Sequence, residues 1–471
     1  MDRKGQHNIF REKELDILRK AVDKAEELAG KKMVSSDKIG DIIKILEQFL
    51  RKKHLICYGG TAINNILPVQ HQFYNKSIEI PDYDFFSPNA LNDAKQLADI
   101  YYKAGYEEVE AKSGVHAGTF KVFVNYIPVA DITFLDRKIF TAILKESIKI
   151  NGILYAPPNY LRMSMYLELS RPAGDVSRWE KILKRLILLN KFYPLKGNQC
   201  DKQEFLRTFQ GTSEDRENIY KILKTSFIDQ GLVFFGGFAN TLYGKYMPKY
   251  QRKILSNIPD FDVLSETPLN AITIVKERLQ DEGYKNVKIY KKSGVGEIIA
   301  PHYELNINNE TVAFVYEPLA CHSYNIIRID NLDIKVATID TILSFYLAFL
   351  YANRPYYDND RLICMAEYLF MVQAKNRLEQ KGLLRRFSIS CYGKQSTLET
   401  IRAEKTEKFK ELKDKRNSEE FEYHFLRYIP AEKAKKHVKT INKKKQNIRN
   451  KTKKTKKTKT KKTKTKKTKK R

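Results

Sequence analysis

The sequence predicts an α/β (α+β) protein built as two tandem domains, preceded by a helical extension and followed by a basic tail. Three observations carry this expectation. A strand-like run ends in a diglycine, Gly59-Gly60, that opens a short helix. Two strand-like runs beyond it bear acids, Asp82 and Asp84 in the first and Asp131 in the second. The glycine element and the acid pair then recur about 180 residues downstream.

The elements follow in order. Residues Ile9 to Lys53 read as two helices, Arg11 to Leu28 and Ser36 to Lys52. Ser36 is a plausible cap before the apolar stripe Ile39, Ile42, Ile43, Ile45, Leu46 and Phe49, which suits packing within or between subunits. His54 to Tyr58 reads as a strand and Thr61 to Leu67 as a helix, with Gly59-Gly60 between them. Backbone without Cβ approaches an anion closely, and the free N–H groups of a helix start point at it, so this turn is a phosphate cradle. It is not a Walker loop, because no Gly-Lys-Ser/Thr follows.

In Ile80-Pro81-Asp82-Tyr83-Asp84-Phe85-Phe86 the period of a strand puts both aspartates on one face, with Tyr83 and Phe85 on the other. Ser87-Pro88 offers a cap and a first-turn proline for a helix reaching Ala104. Asp131 interrupts the apolar run Tyr126 to Phe134, where an unpartnered charge would be costly. A divalent cation is a natural partner, since Mg²⁺ takes hard oxygen ligands from a few carboxylates and substrate phosphates. Two such ions can brace the attacking and leaving oxygens of an in-line displacement. A further Asp-x-Asp, Asp358 and Asp360, falls outside any strand pattern and reads as a solvated loop.

With these residues in hand, Tyr58-Gly59-Gly60-Thr61-Ala62-Ile63-Asn64, Pro81 to Ser87 and Val129-Ala130-Asp131-Ile132 resemble the motifs of the polymerase-β-like nucleotidyltransferase superfamily. More narrowly, residues 1 to about 430 resemble the poly(A) polymerase catalytic subunit of large DNA viruses, of the poxvirus and mimivirus type. The resemblance implies two nucleotidyltransferase-like domains, each a mixed sheet with flanking helices. It also implies that Tyr58, Gly59, Gly60 and Asn64 meet the nucleotide, that Asp82, Asp84 and Asp131 hold two Mg²⁺ or Mn²⁺ ions, and that ATP is the donor. Ser164 and Lys184 become further candidates for nucleotide contacts. Asp131 would hold the ion that activates the attacking hydroxyl, and could help receive its proton. The partners implied are the RNA 3′ end and either a second copy of the chain or a separate processivity subunit. The implied setting is the host cytoplasm at viral replication sites, with the virion as a further location.

The downstream copy reads Val233-Phe234-Phe235-Gly236-Gly237 and Ile258-Pro259-Asp260-Phe261-Asp262, offset by 177 and 178 residues from the first. Lys112-Ser113-Gly114-Val115 recurs as Lys292-Ser293-Gly294-Val295. A nearly constant offset indicates a duplicated domain. Where the third acid belongs, Thr311 to Tyr316 carries none, although Glu310 and Glu317 flank the run. The reading is a degenerate copy, because a one-residue slip would turn either acid to the wrong face. Asp260 and Asp262 would persist as structural acids or a weak ion site. The boundaries expected are 1–53 for the extension, 54–195 for the catalytic domain with trailing helices, 196–430 for the degenerate copy, and 431–471 for the tail.

Between the copies, Asn159 to Leu169 shows helical spacing, and Asp175 to Ile187 resumes it with Arg178, Lys181, Lys184 and Arg185 within two turns. Arg178, Lys181 and Arg185 are candidates for contact with RNA or triphosphate, against the alternative of a solvated face on a core helix. The net charge of +30 is largely a tail: 22 of the 86 Lys and Arg fall in residues 433–471, which hold no acid. The body keeps 64 bases against 56 acids, or +8. The Lys/Thr tail should be disordered, with RNA phosphates, solubility or nuclear addressing as its possible uses. No apolar run of about 18 residues and no secretory segment appear, so a soluble protein inside a cell or particle is expected, with no membrane. The five cysteines are far apart and read as reduced, mostly buried thiols. Terminal uridylyl or cytidylyl transfer, modification of a protein or small molecule, and RNA binding without catalysis remain open alternatives.

Overall fold

The computed structural model describes residues 37–75, 81–202, 213–248, 260–296 and 298–432, with scattered helical positions between 14 and 25. The predicted Ser36 cap, most of the Arg11 to Leu28 helix and the tail lie outside the described residues. In chain order the strands are β1 (Ile56–Tyr58), β2 (Tyr83–Ser87), β3 (Val109–Ser113), β4 (Thr119–Val124), β5 (Ile127–Phe134), β6 (Ile148–Ile150) and β7 (Ile153–Tyr155). There follow β8 (Val233–Phe235), β9 (Phe261–Leu264), β10 (Val287–Lys292), β11 (His302–Ile307), β12 (Glu310–Tyr316), β13 (His322–Ile329) and β14 (Leu332–Ala337). Two short strands, β15 (Cys391–Tyr392) and β16 (Arg427–Tyr428), complete the set.

They form two eight-stranded sheets, ordered 16-3-4-5-2-1-7-6 and 10-11-12-9-8-14-13-15. Apart from the two short edge strands the orders coincide position for position. The mixing of directions coincides as well: β2 runs parallel to β5 and β1 to β7, as β9 does to β12 and β8 to β14.

Strand β4 shows why these segments choose a sheet. Phe120, Val122 and Val124 are buried while Thr119, Lys121 and Phe123 are half-buried, an alternation of period two. The helix Ala90–Lys103 covers the apolar side with Leu91, Ala94, Leu97, Ala98 and Tyr101, all buried at helical spacing. Burying a leucine there stabilises the fold by about 1.5–3 kcal/mol. The helix Asp37–Lys53 packs on the same core through Ile42, Leu46, Phe49 and Leu50, and Tyr101 donates to the Ile42 carbonyl at 2.8 Å. That apolar stripe therefore covers its own sheet.

The helix Pro158–Leu169 lies along Ile339–Phe349, which is buried along its whole length, and the two join the sheets through one apolar core. Ser323 N–H donates to the Ser170 carbonyl at 2.8 Å, and Tyr160 packs edge-on against Tyr351 at 5.4 Å.

Four expectations are corrected. The helix after β2 begins at Ala90, because the Ser87 hydroxyl accepts from Asn89 N–H (2.9 Å) and donates to Asp93 (2.6 Å) instead of capping a turn at Pro88. Asp358 is an N-cap rather than a loose loop residue; it accepts from Arg361 N–H at 2.8 Å at the start of Asn359–Lys375. Four cysteines are paired, Cys200 with Cys364 and Cys321 with Cys391, at Cα separations of 5.3 and 5.1 Å. Only the fold brings together residues 164 and 70 positions apart; Cys57 stays a buried thiol. Finally, β16 returns to the first sheet, so the 196–430 segment does not stay with the second. Among the described residues no helix is long and apolar enough to cross a membrane.

Candidate active site

Register assembles the site. Across antiparallel β1 and β2, Tyr58 faces Asp84, and across parallel β2 and β5, Asp84 faces Asp131. Directly partnered residues present their side chains on one face of a sheet, so the two acids are neighbours. Asp82 stands just before β2 at the mouth of the site, and its carbonyl accepts from Thr61 Oγ1 at 2.5 Å, tying the acids to the glycine helix.

Gly59 is obligatory twice over. Its φ of +72° suits glycine, and a Cβ there would lie 2.8 Å from Asp84 Oδ2. At Gly60 a Cβ would collide with the Tyr74 hydroxyl and come within 3.0 Å of Arg185 Nη1. The glycine turn is thus pressed between a carboxylate on one side and a guanidinium on the other.

The electrostatics follow from crowding three acids. Asp84 is pushed up to about 7, first by burial and then by Asp82 and Asp131, against the pull of Lys121 and Arg178. Asp82, open to solvent but crowded by protein on the site side, is raised by desolvation and by Asp131; Lys121 and Lys181 oppose this. Lys121 Nζ donates to Asp131 Oδ2. Among the described residues no three acid, His or Cys side chains are gathered round one point at ligand distance. The aspartates instead share a face and a mutual repulsion, with an ammonium on one of them. Hard oxygen donors that repel one another fit a divalent cation, which would relieve the carboxyl pushed up to about 7.

The other predicted residues fall into two groups. Tyr58 stacks on Phe86 at 3.8 Å, and its hydroxyl lies 2.9 Å from Thr133 Oγ1, beside the acids. Arg185 is buried; it sits over the Phe73 ring at 4.9 Å and donates to Tyr74 at 2.7 Å, facing the glycine turn. Arg178 pairs with Glu168 at 3.1 Å and, like Lys181, lies within electrostatic range of the acids. Asn64, by contrast, is buried in a structural role, its Oδ1 accepting from Phe73 and Tyr74 N–H at 2.7 and 2.8 Å. Ser164 is exposed and bonded to the Tyr160 carbonyl at 3.2 Å; Lys184 is exposed and paired with Glu180 at 2.6 Å. Sequence reasoning missed Lys121 and Tyr74. Lys121 could have been suspected from a charge in an alternating apolar strand, but only the register puts it opposite Asp131.

The corresponding place in the second sheet is different. Phe235 faces Asp262, as Tyr58 faces Asp84, but Asp262 faces Phe314, which is buried. Glu310 opens β12 and Glu317 lies past its end, so neither occupies the third position. Asp260 and Asp262 line a cavity of about 30 Å³ with Phe314, Tyr316, Tyr346 and Arg361, far below the hundreds of Å³ a nucleotide needs.

A mixed sheet bearing a glycine turn, an Asp-x-Asp strand and a parallel acid strand defines a polymerase-like nucleotidyltransferase fold. Residues 44–175 match the family model described as poly(A) polymerase catalytic subunit. Over 180 residues the chain is 33% identical to a protein of African swine fever virus (isolate Tick/Malawi/Lil 20-1/1983), covering 37% of this chain and 38% of that one. Over 198 residues it is 33% identical to one of Acanthamoeba polyphaga mimivirus, covering 41% and 32%. Both carry the name poly(A) polymerase catalytic subunit as a provisional assignment, and the match spans about a third of their length. The crystal structure of the Megavirus polyadenylate synthase shares the fold, with a TM-score of 0.72 over 87% of this chain and 84% of that one, at 21% identity. The resemblance to the poly(A) polymerase catalytic subunits of large DNA viruses therefore holds over the stretch that carries the acids.

Proposed function

We propose that the chain is a template-independent poly(A) polymerase that adds AMP from ATP to the 3′-hydroxyl of RNA, releasing pyrophosphate. The observation that carries this reading is the register of Asp84 with Asp131 beside Gly59, which sets carboxylates and a phosphate cradle side by side.

Gly59 and Gly60 offer backbone N–H groups and close approach to the triphosphate, and the buried Arg185 behind Gly60 adds positive charge there. Asp82, Asp84 and Asp131 are the residues that would hold two Mg²⁺ or Mn²⁺ ions. When bound, such ions neutralise charge on the phosphates and acidify the attacking hydroxyl. Asp131, held by the hydrogen bond from Lys121, would help receive that hydroxyl's proton. The bond formed is O3′ to the α-phosphorus, and the bond broken is from that phosphorus to the oxygen bridging to the β-phosphate, so pyrophosphate leaves.

The coincident strand orders support a duplication, and Phe314 at the third acid's place supports a second copy that serves as scaffold. Incubating a labelled RNA oligonucleotide with each nucleotide separately, with Mg²⁺ or Mn²⁺, tests the whole. A ladder with ATP that disappears in Asp131→Asn, with RNA binding retained, is expected. Equal ladders with UTP or CTP would overturn the adenylyl assignment, and wild-type rates in the variant would overturn the site.

A further inference from the structure

The row of partnered residues continues past the acids. Lys121 of β4 faces Asp131, Lys112 of β3 faces Lys121, and Arg427 of β16 faces Lys112. At the spacing of neighbouring strands, this cationic arm runs about 14 Å from the acid centre to the sheet edge. A groove of about 300 Å³ opens over it, roofed by the helix Leu398–Leu412. Lys112, Lys121, Arg402 and Lys405 line the groove with Gly114 and Ile401, and no acid does so. Lys405 Nζ donates to the Gly114 carbonyl at 2.7 Å, which pins the roof to the turn after β3. Glu110 pairs with the outer end of the arm, 3.7 Å from Lys112 and 3.5 Å from Arg427.

Two facts set the arm apart. Lys112 and Lys121 stand directly opposite each other, like charges that repel across the strand pair and are offset from the outside, by Glu110 and the Phe123 ring on one and by Asp131 on the other. The second sheet, with the same strand order, carries a different row: Tyr290 and Glu304 hold the places of Lys112 and Lys121 next to Phe314, and Lys292, which the sequence repeat aligns with Lys112, lies two residues further along and pairs with Glu304 at 3.4 Å. The row beyond the third acid's place is basic where that acid is present and is not where it is absent.

The order across the face is Tyr58, Asp84, Asp131, Lys121, Lys112, so the acids separate the glycine turn from the arm. In-line transfer brings the attacking oxygen from the side opposite the leaving group. With the triphosphate at the glycines, the attacking strand approaches over the lysines. We propose that the groove over Lys112, Lys121, Arg402 and Lys405 is the track for the phosphodiester backbone of the RNA strand being extended. The proposal rests on the polymerase reading above. A nucleotide triphosphate has the same phosphate chemistry, and the test separates the two.

The full chain carrying Lys112→Gln and Arg402→Gln is compared with wild type; the first side chain is half-exposed and the second exposed, so the fold should tolerate both. Fluorescence anisotropy of a labelled oligoadenylate without nucleotide reads strand affinity, and extension kinetics read KM for RNA and for ATP separately. Kd for the strand should rise about tenfold, and the slope of log K against log salt should become shallower by about 1.4, with KM for ATP unchanged. A control pair, Lys288→Gln and Lys291→Gln on exposed β10, removes the same charge and should leave Kd within about twofold. Unchanged strand affinity, an equal loss in the control pair, or a rise confined to KM for ATP would each overturn the track. A wild-type protein that binds RNA yet adds no nucleotide would remove the polymerase reading, while the anisotropy arm would still decide the track.

Discussion

Replacing Asp84 by Asn should make the metal-free protein more stable while destroying its activity, and the gain should depend on pH in a calculable way. The folded carboxyl titrates at about 7, against 3.8 for the free group. A raised carboxyl pKa means that the folded state holds the proton more tightly than the unfolded state, so ionisation opposes folding. The penalty is absent below about pH 4, grows between the two pKa values, and is complete above about pH 7. Worked through, it is about 1.5 kcal/mol at pH 5 and about 4 kcal/mol at pH 8. Asn cannot ionise and escapes it. For a unit of the size of the first sheet this corresponds to melting shifts of roughly 3 °C at pH 5 and roughly 8 °C at pH 8. Thermal unfolding in EDTA at the two pH values reads the effect directly. Adding Mg²⁺ should then stabilise wild type and leave Asp84→Asn unmoved. A variant that is less stable than wild type, or whose gain is the same at both pH values, would refute the electrostatic reasoning.

The remaining predictions concern neighbouring residues. Lys121→Met removes a cation that holds Asp82 and Asp84 down, so both acids should titrate higher and the acid limb of the kcat/KM profile should move to higher pH; a downward move would contradict this. Gly59→Ala forces a side chain into a backbone of φ +72° and against Asp84, and should lower activity by about a hundredfold in a primer-extension assay. Asp260→Ala should leave most activity intact, since Phe314 already replaces the third acid there; complete loss in the same assay would show the second site to be functional.

What the sequence disclosed is what local periodicity and spacing encode. The alternation around Asp82 and Asp84, the diglycine before a helix, and the near-constant offset of the second copy need no knowledge of partners. Register is another matter. That Lys121 meets Asp131, and that Phe314 takes the third acid's place, depends on how strands far apart in the chain align. Asn64 follows the glycine motif yet is consumed by the loop at Phe73 and Tyr74, because a buried amide takes whichever backbone donors lie nearest. Arg185 looked no different from Lys184 in the sequence, but a helix has one inner face, and the rings of Phe73 and Tyr74 made Arg185 part of it. The cysteine pairs were invisible for the same reason as the register.

Strand β16 has a practical consequence. Arg427 and Tyr428 hydrogen-bond along the outer edge of β3, Tyr428 donates to Asp99 at 2.6 Å, and Glu422 pairs with Lys95 at 2.5 Å. The segment 422–428 is therefore buckled onto the first sheet and the helix that covers it. A fragment cut to contain only residues 54–195 would bare the backbone amides and carbonyls of β3 and invite pairing with another molecule. Excision would yield a sticky half-protein instead of a minimal enzyme, and a fusion partner is better attached beyond residue 432 than inserted before 427.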